Sequence, residues 1–134
     1  MNTFEIAGRA IGPGHPCYII AELSANHGHK LENALALIRI AKESGADAIK
    51  LQTYRADTLT IDCVAEPFMI GHGTAWDGRR LYDLYKAAFL PWAWPDALIE
   101  EAKSLGIHCF SSPFENSPAG LLEQLGPPAD NIAT

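Results

Sequence analysis

The sequence has few of the features that mark a metal-binding or disulfide-linked domain. Its three cysteines, Cys17, Cys63 and Cys109, are widely spaced and form no C-x-x-C pair, so neither a zinc knuckle nor a disulfide framework is indicated. Two of the three lie in apolar runs, which favours buried thiols. The five histidines form no recognisable metal-ligand pattern. The pair His27 and His29 is therefore expected to lie in a solvated loop.

The sequence also lacks the signals of secretion, membrane insertion and nucleic-acid binding. No charged segment followed by an apolar stretch opens it, and no apolar run approaches the length of a membrane span. Lys and Arg number 10 against 16 Asp and Glu, a formal net charge of −6. This balance argues against nucleic acid or an anionic membrane as a partner. We expect a cytoplasmic protein. A small anionic substrate remains possible, because a few basic side chains placed close together can bind it within an acidic protein.

Hydrophobic residues make up 48% of the chain, and their spacing predicts alternating strands and helices. Strands are predicted at 17–21, 48–53 and 107–111, with the opening of a fourth at 131–134. Helices are predicted at 31–44, 79–89, 95–105 and 118–125. The first strand is a continuous apolar run, which is typical of a strand that is covered on both faces.

The two helix-to-strand junctions at 43–50 and 103–110 resemble one another. A repeated βα unit implies a parallel sheet with right-handed crossovers. The residues alone leave open whether this sheet closes into a barrel or stays doubly wound. No G-x-G-x-x-G motif follows the first strand, which argues against an open sheet that binds a dinucleotide.

Polar side chains at the carboxyl ends of these strands are the candidate functional residues, because α/β sites form there. Strand side chains alternate, so Lys50 and Gln52 share one face while Ile49 and Leu51 face the covering helices. A lysine at this position needs a carboxylate or an anionic ligand beside it, and Glu22 ends the neighbouring strand. Both a structural ion pair and a ligand-binding role remain open at this point.

Two further segments allow two interpretations each. Ser111 and Ser112 precede a proline, and their hydroxyls either hold a phosphate or carboxylate oxygen or bond to the backbone of a turn. Residues 76–80 form either a mobile active-site loop or a capped helix N-terminus. The aromatic residues of the helix that follows are interpreted as a packing stripe.

Three ordered motifs resemble the sialic acid synthase family. They are Ile-Ala-Glu-Leu-Ser-Ala-Asn-His at 20–27, Gly-Ala-Asp-Ala-Ile-Lys-Leu-Gln-Thr-Tyr at 45–54 and Cys-Phe-Ser-Ser-Pro-Phe-Glu at 109–115. Within the family, residues 23–27 and 76–85 most resemble the pseudaminic acid branch. The resemblance extends from about Tyr18 to Thr134, and several motifs at matching spacing are more specific than any one of them.

The resemblance implies an α/β fold, the N-terminal portion of a (β/α)₈ TIM barrel. Residues 1–134 would supply roughly three βα units and the start of a fourth strand. The remaining half-barrel and an antifreeze-like domain would lie outside this chain, and the intact protein would be a homodimer. A barrel takes about 250 residues, so the isolated chain is expected to be inactive and prone to aggregate or oligomerise.

The family's reaction condenses phosphoenolpyruvate with an open-chain acetamido sugar and releases phosphate by C–O cleavage. In the pseudaminic branch the sugar is 2,4-diacetamido-2,4,6-trideoxy-altrose. The resemblance also implies a divalent metal, manganese or magnesium, whose ligands would lie outside this chain. The metal would polarise the sugar aldehyde as a Lewis acid.

Carried over residue by residue, the resemblance gives Glu22 and Lys50 catalytic roles. Glu22 would transfer a proton or orient a hydroxyl on the sugar side, and Lys50 would hold the anionic end of phosphoenolpyruvate. Gln52 would bind the sugar, and Ser112 would contact phosphate or carboxylate oxygens. Asn131 stands where the family has a lysine that helps bind phosphoenolpyruvate, so the charge of this binding position is altered.

Three alternative functions accompany this hypothesis. The chain is a truncated, non-catalytic paralogue with a binding or assembly role, or it comes from an N-acetylneuraminate or legionaminate synthase. The third alternative is an aldolase that uses Lys50 to form a Schiff base, which the synthase motifs make the weakest of the three.

Overall fold

A computed structural model describes residues 2–71 and 73–114. The strands in these residues are β1 (Phe4–Ile6), β2 (Arg9–Ile11), β3 (Ile20–Glu22), β4 (Ala48–Thr53) and β5 (His108–Pro113). The helices are α1 (Leu31–Glu43), α2 (Ala56–Leu59), α3 (Leu81–Ala88) and α4 (Pro95–Leu105), with a short 3₁₀ turn at Glu66–Phe68. None of the helices in the described part of the chain is long and apolar enough to cross a membrane.

The central element is a parallel three-stranded sheet in the order β3-β4-β5. Its register aligns Glu22 with Lys50 and Gln52 with Ser112. Because side chains on aligned residues of neighbouring strands point to the same face, this register decides which polar groups meet. The parallel sheet predicted from the repeated junctions is confirmed.

Helices α1 and α4 cover one face of the sheet and form the hydrophobic core with it. Ile38 of α1 and Leu98 of α4 are fully buried, and they pack in one cluster with Ile49 and Leu51 of β4. Burying a side chain of this size contributes about 1.5–3 kcal/mol. The opposite face, which carries the side chains of Lys50 and Gln52, is called the open face below.

Both helices end where the sequence pattern predicts. Gly45 follows α1 with φ of 87°, and Gly106 caps α4 with φ of 63°. These are left-handed conformations, which glycine adopts without the steric cost of a Cβ. Pro95 occupies the first turn of α4, where its missing N–H leaves no helical hydrogen bond unmade.

An antiparallel hairpin precedes the sheet, in a region where no element was predicted. β1 and β2 pair around Ala7 and Gly8, whose φ angles of 48° and 79° match the tight turn that suits a hairpin. Arg9 of β2 forms an ion pair with Asp47, just before β4. The same carboxylate accepts a 2.7 Å hydrogen bond from the backbone N–H of Ile19, so it joins the hairpin, β3 and β4.

The prediction of a first strand at 17–21 that is covered on both faces is wrong. The strand is Ile20–Glu22, and Ile19 and Ile20 are 54% and 43% exposed. In the described part of the chain β3 pairs only with β4, so its other edge has no strand beside it. The helix predicted at 118–125 and the strand predicted at 131–134 lie outside the described residues.

The prediction of two buried thiols is correct for one cysteine only. Cys17 is exposed and Cys63 is half-buried, while Cys109 alone among the three is buried. Cys109 lies in the core layer between the sheet and the helices, where burial raises the pKa of its thiol to about 12. Cys17 precedes the shortened strand β3, which explains its exposure.

Candidate functional site

The side chains of β4 alternate as predicted. Ile49 and Leu51 are each 1% exposed and lie in the core with the helices, whereas Lys50 and Gln52 are half-buried on the open face. Because strand residues alternate between faces, placing two leucine-sized side chains in the core necessarily turns the two polar ones toward the open face. This face therefore carries the candidate site.

Glu22 and Lys50 form an ion pair on the open face. The Nζ atom of Lys50 lies 2.6 Å from Oε1 of Glu22, and the two side chains are 19% and 50% exposed. The backbone N–H of Leu23 also donates to the carbonyl oxygen of Lys50 over 3.1 Å, which fixes the end of β3 against β4. The site thus combines a largely covered cation with a carboxylate that stays open to solvent and to a ligand.

Gln52 and Ser112 occupy the next rung of the open face toward the carboxyl ends of the strands. They are aligned in register, with Gln52 half-buried and Ser112 2% exposed. Two residues along a strand separate this rung from Lys50, a distance of roughly 7 Å. The structure therefore brings four of the predicted site residues to one face. Asn131, the fifth, lies outside the described residues.

The two adjacent serines point to opposite faces, so the interpretation in which both hydroxyls hold one anion is wrong. Ser111 is fully buried on the helix side, where its hydroxyl lies 2.7 Å from that of Thr53 and donates to the carbonyl oxygen of Leu51 over 3.1 Å. Of the two serines, Ser112 is the one that shares a face with Lys50. The sequence would have predicted these opposite faces if the strand had been extended to residue 113, because side chains alternate along a strand.

His27 is fully buried, so the predicted solvated loop is wrong at this position. Its Nδ1 accepts a 3.1 Å hydrogen bond from the backbone N–H of His29, and its ring packs against Trp94 at 5.3 Å between centroids. Its Nε2 has no hydrogen-bond partner among the described residues. Burial, and then the nearby charge of His29, lower the pKa of His27.

The loop at residues 76–80 is organised by a carboxylate. Asp77 accepts hydrogen bonds from the backbone N–H groups of Gly73 and Thr74 over 2.7 and 2.8 Å. These bonds lower the pKa of Asp77, that from Thr74 most. Asp77 therefore closes a turn and does not cap a helix, since α3 begins at Leu81 and its N-cap, Arg80, makes no side-chain cap bond. The mobility of this loop stays a prediction.

Tyr85 of α3 packs as interpreted. Tyr54, which is 5% exposed just beyond β4, contacts Tyr85 and Phe114 edge to face at 5.7 and 5.9 Å between centroids. Burial raises the pKa of Tyr54. The long connection between β4 and α4 is thereby anchored beside the carboxyl ends of β4 and β5.

The described residues do not form a metal centre by themselves. Over residues 2–71 and 73–114, no three or more His, Cys, Asp or Glu side chains lie close enough together to hold a metal ion. The pair of Glu22 and Lys50 does not fit one, because the lysine competes for the carboxylate. No chemical step is therefore assigned to a metal on these residues.

Parallel strands with polar residues at their carboxyl ends and helices on one face define the class, an α/β protein. Residues 37–134 match the NeuB family, and the chain belongs to this family. It is 49% identical over 117 residues to the pseudaminic acid synthase of Campylobacter jejuni, a match that covers 87% of this chain and 34% of that protein.

Other relatives agree with this assignment. The N,N′-diacetyllegionaminic acid synthase of Legionella pneumophila is 38% identical over 86% of this chain and 32% of its own length. The crystal structure of N-acetylneuraminic acid synthetase from Leptospira borgpetersenii superimposes with a TM-score of 0.75 at 26% identity, over 93% of this chain and 39% of that one. The predicted fold class is confirmed. The chain spans about a third of the length of the curated relatives it matches.

Proposed function

We propose that the intact protein is a pseudaminic acid synthase that condenses phosphoenolpyruvate with 2,4-diacetamido-2,4,6-trideoxy-altrose. The observation that carries the proposal is the 2.6 Å contact between Lys50 and Glu22 on the open face, at the carboxyl ends of the strands. The 49% identity to a pseudaminic acid synthase supports this sugar over the alternatives. Residues 1–134 would be the N-terminal part of the barrel, in a cytoplasmic enzyme that acts as a homodimer.

In this proposal Lys50 holds the anionic end of phosphoenolpyruvate. Its side chain is only 19% exposed, so its charge is weakly screened by water and attracts an anion more strongly than a surface lysine does. With no ligand, the carboxylate of Glu22 balances that charge. A bound phosphate or carboxylate group would share the lysine and leave Glu22 available to the second substrate.

Glu22 is proposed to transfer a proton or orient a hydroxyl on the sugar. A carboxylate that is half exposed beside a bound anion can accept a hydrogen bond from a sugar hydroxyl or from the attacking water. Gln52 would bind the sugar and Ser112 would donate to phosphate or carboxylate oxygens. Asn131 would adjoin the same substrate without the positive charge of a lysine.

The proposed reaction balances without an external oxidant or reductant. The methylene carbon of phosphoenolpyruvate forms a bond to the aldehyde carbon, whose oxygen takes up a proton. Water then adds to the cationic carbon that carries the phosphate and loses a proton. The resulting tetrahedral intermediate expels inorganic phosphate by breaking the C–O bond, which leaves a 2-keto acid. A divalent metal, manganese or magnesium, held by residues outside this chain, would polarise the aldehyde.

The test uses the purified full-length protein and phosphoenolpyruvate with ¹⁸O in its bridging oxygen. Phosphate release that depends on the altrose derivative, with the ¹⁸O found in the phosphate, is the expected result. Label that remains in the organic product would contradict C–O cleavage. Faster turnover with the sugars that give legionaminic or neuraminic acid would assign the protein to those branches of the family, for which the 38% identity to a legionaminic acid synthase is the supporting observation.

A further inference from the structure

A chain of two buried hydrogen bonds joins the carboxyl ends of β4 and β5 on the helix side of the sheet. The hydroxyl oxygens of Thr53 and Ser111 lie 2.7 Å apart, and Ser111 donates to the carbonyl oxygen of Leu51 over 3.1 Å. A serine hydroxyl has a single proton to donate, so Thr53 is the donor to Ser111. Thr53 is 1% exposed and Ser111 is fully buried.

Hydroxyl groups at these two positions are not required to fill the core. The neighbouring residues on the same face, Ile49, Leu51 and Cys109, belong to the hydrophobic cluster. Valine and alanine would fit this layer without two hydroxyls that must be desolvated and paired. The hydroxyls instead fix the position of one strand relative to the other. Apolar contacts tolerate small shifts of one strand against the other, whereas hydrogen bonds weaken steeply with distance and angle.

The bonded residues flank the two polar residues of the open face along the chain. Gln52 lies between Leu51 and Thr53, and Ser112 follows Ser111 directly. The backbone N–H of Phe114 also donates to the carbonyl oxygen of Thr53 over 3.3 Å, which holds the last residues of the two strands together. A shift of β5 against β4 would therefore change the separation of Gln52 and Ser112.

We propose that Thr53 and Ser111 are a positioning pair that sets the spacing of Gln52 and Ser112 for substrate binding. Neither hydroxyl reaches the open face, so the pair acts through the two residues it flanks. The inference rests on the proposed function, because it assigns the spacing to the binding of phosphoenolpyruvate and its sugar partner.

The first test is Thr53→Val in the full-length enzyme, which keeps the branched shape and removes the hydroxyl. We expect the KM for phosphoenolpyruvate to rise about tenfold, within the range that a displacement of up to an ångström produces. Thr53→Ser restores a hydroxyl and should bring the KM back to within about twofold of the wild type, since a factor of two is a small fraction of one hydrogen bond. Ser111→Ala, which removes the acceptor, should match Thr53→Val.

The matched control is Ile38→Val in α1, a fully buried position on the same side of the sheet that carries no polar atom. It lowers the melting temperature by loss of a methylene group and should leave the KM unchanged. If Ile38→Val raised the KM as much as Thr53→Val at an equal loss of melting temperature, the effect would be general loosening and the inference would be wrong. An unchanged KM in folded Thr53→Val would overturn it as well.

Failure of the proposed function gives a different result. If the wild-type enzyme releases no phosphate with any of the sugars, the proposed function fails, and the positioning claim is then judged by amide hydrogen exchange. Faster exchange across residues 110–114 in Thr53→Val than in Ile38→Val supports the positioning pair. Equal exchange in the two variants refutes it.

Discussion

Lys50 is the residue on which the candidate site depends, and its removal should separate catalysis from stability. In the full-length enzyme Lys50→Met should lower kcat/KM by about 10²–10³-fold, the cost of losing one preorganised charge beside the reacting groups. The melting temperature should change little, because the partner that loses its cation, Glu22, is 50% exposed and can be solvated. Steady-state kinetics and thermal unfolding measure the two effects.

The control for Lys50 is another ion pair of this chain. Arg39 lies 2.6 Å from Glu101 and joins α1 to α4 on the outer surface. Arg39→Met removes a cation from an equally close pair at a distance from the open face, so kcat/KM should be unchanged. A similar loss of activity in both variants would show that Lys50 contributes to folding alone.

His27 should make the folded state sensitive to mild acid. Burial favours its neutral form, so its pKa in the folded state is lowered from the ordinary value of 6.5. Below about pH 6.5 the unfolded chain therefore binds a proton that the folded chain does not. The stability contributed by the neutral ring is fully present above that pH, and it is lost as the pH falls from 6.5 toward the lowered pKa.

Urea unfolding at pH 7.5 and pH 5.5 measures this effect. His27→Gln keeps an acceptor for the N–H of His29 and removes the titration, so the free energy of unfolding should fall less between the two pH values than in the wild type. His15→Gln, at an exposed histidine, should behave as the wild type. Equal pH dependence in all three proteins would show that His27 does not titrate in this range.

Residue by residue, the sequence predicted what depends on local alternation and missed what depends on distant contacts. Lys50 and Gln52 were placed correctly because the period of a strand fixes their face, and Glu22 because strand ends in parallel sheets meet at one edge. The burial of His27 was missed because Trp94, which covers it, lies 67 positions later in the chain. No periodicity within residues 24–30 carries that information.

Among the elements, the β1–β2 hairpin is joined to the three-stranded sheet through the carboxylate of Asp47. Asp47 pairs with Arg9 and accepts a hydrogen bond from the N–H of Ile19. Both contacts lower the pKa of Asp47, and the bond from Ile19 has the largest effect. Asp47→Asn should therefore release the hairpin and leave the three-stranded sheet folded. Faster amide exchange confined to residues 4–11, with unchanged exchange in β4 and β5, is the expected result.

The docking of the hairpin should depend on pH, because the pKa of Asp47 is lowered in the folded state. The pKa of Asp47 in the folded state lies below the ordinary value of 3.8. The stabilisation that its carboxylate contributes is therefore present above pH 3.8 and is lost as the pH falls through the lowered pKa. Asp57→Asn is the control, because Asp57 makes only a 3.8 Å contact with Arg55 and is 63% exposed. Protection of the hairpin that survives Asp47→Asn would show that its other contacts hold it in place, among them the hydrogen bond from Arg9 to the carbonyl oxygen of Cys17.

Elements with strong terminal signals were predicted well, and short ones were not. Helices α1 and α4 carry a hydrophobic stripe and are followed by Gly45 and Gly106, and their observed bounds lie within one residue of the predicted ones. α2 has four residues, too few to show a helical period, and was missed. β3 was placed three residues early because its apolar run continues back through residues that lie outside the sheet.

Across the molecule as a whole, the described residues expose apolar side chains beside one edge of the sheet. Ile19 and Ile40, each 54% exposed, line a groove between α1 and the edge of β3 that has no partner strand among residues 2–71 and 73–114. An unpaired strand edge beside apolar side chains favours association. The isolated chain of 134 residues should therefore form oligomers or aggregates and should release no phosphate from phosphoenolpyruvate.

Light scattering at several protein concentrations measures this association. Ile40→Lys places a charge on the groove and should increase the monomeric fraction, whereas Lys30→Ala, an exposed change at the other end of α1, should not. A wild-type chain that stays monomeric and melts cooperatively would contradict the prediction. Sugar-dependent phosphate release by that chain would show that these 134 residues suffice for the reaction.

The register of the sheet limits how this gene can change over evolutionary time. Lys50 faces Glu22, and Gln52 faces Ser112, only while the number of residues from Gly45 to these two positions of β4 is kept. One inserted codon between Gly45 and Lys50 would turn the lysine into the core and an isoleucine out of it. A change in the length of this short segment by a single residue would therefore misplace every side chain of β4 at once, whereas a substitution alters only one of them.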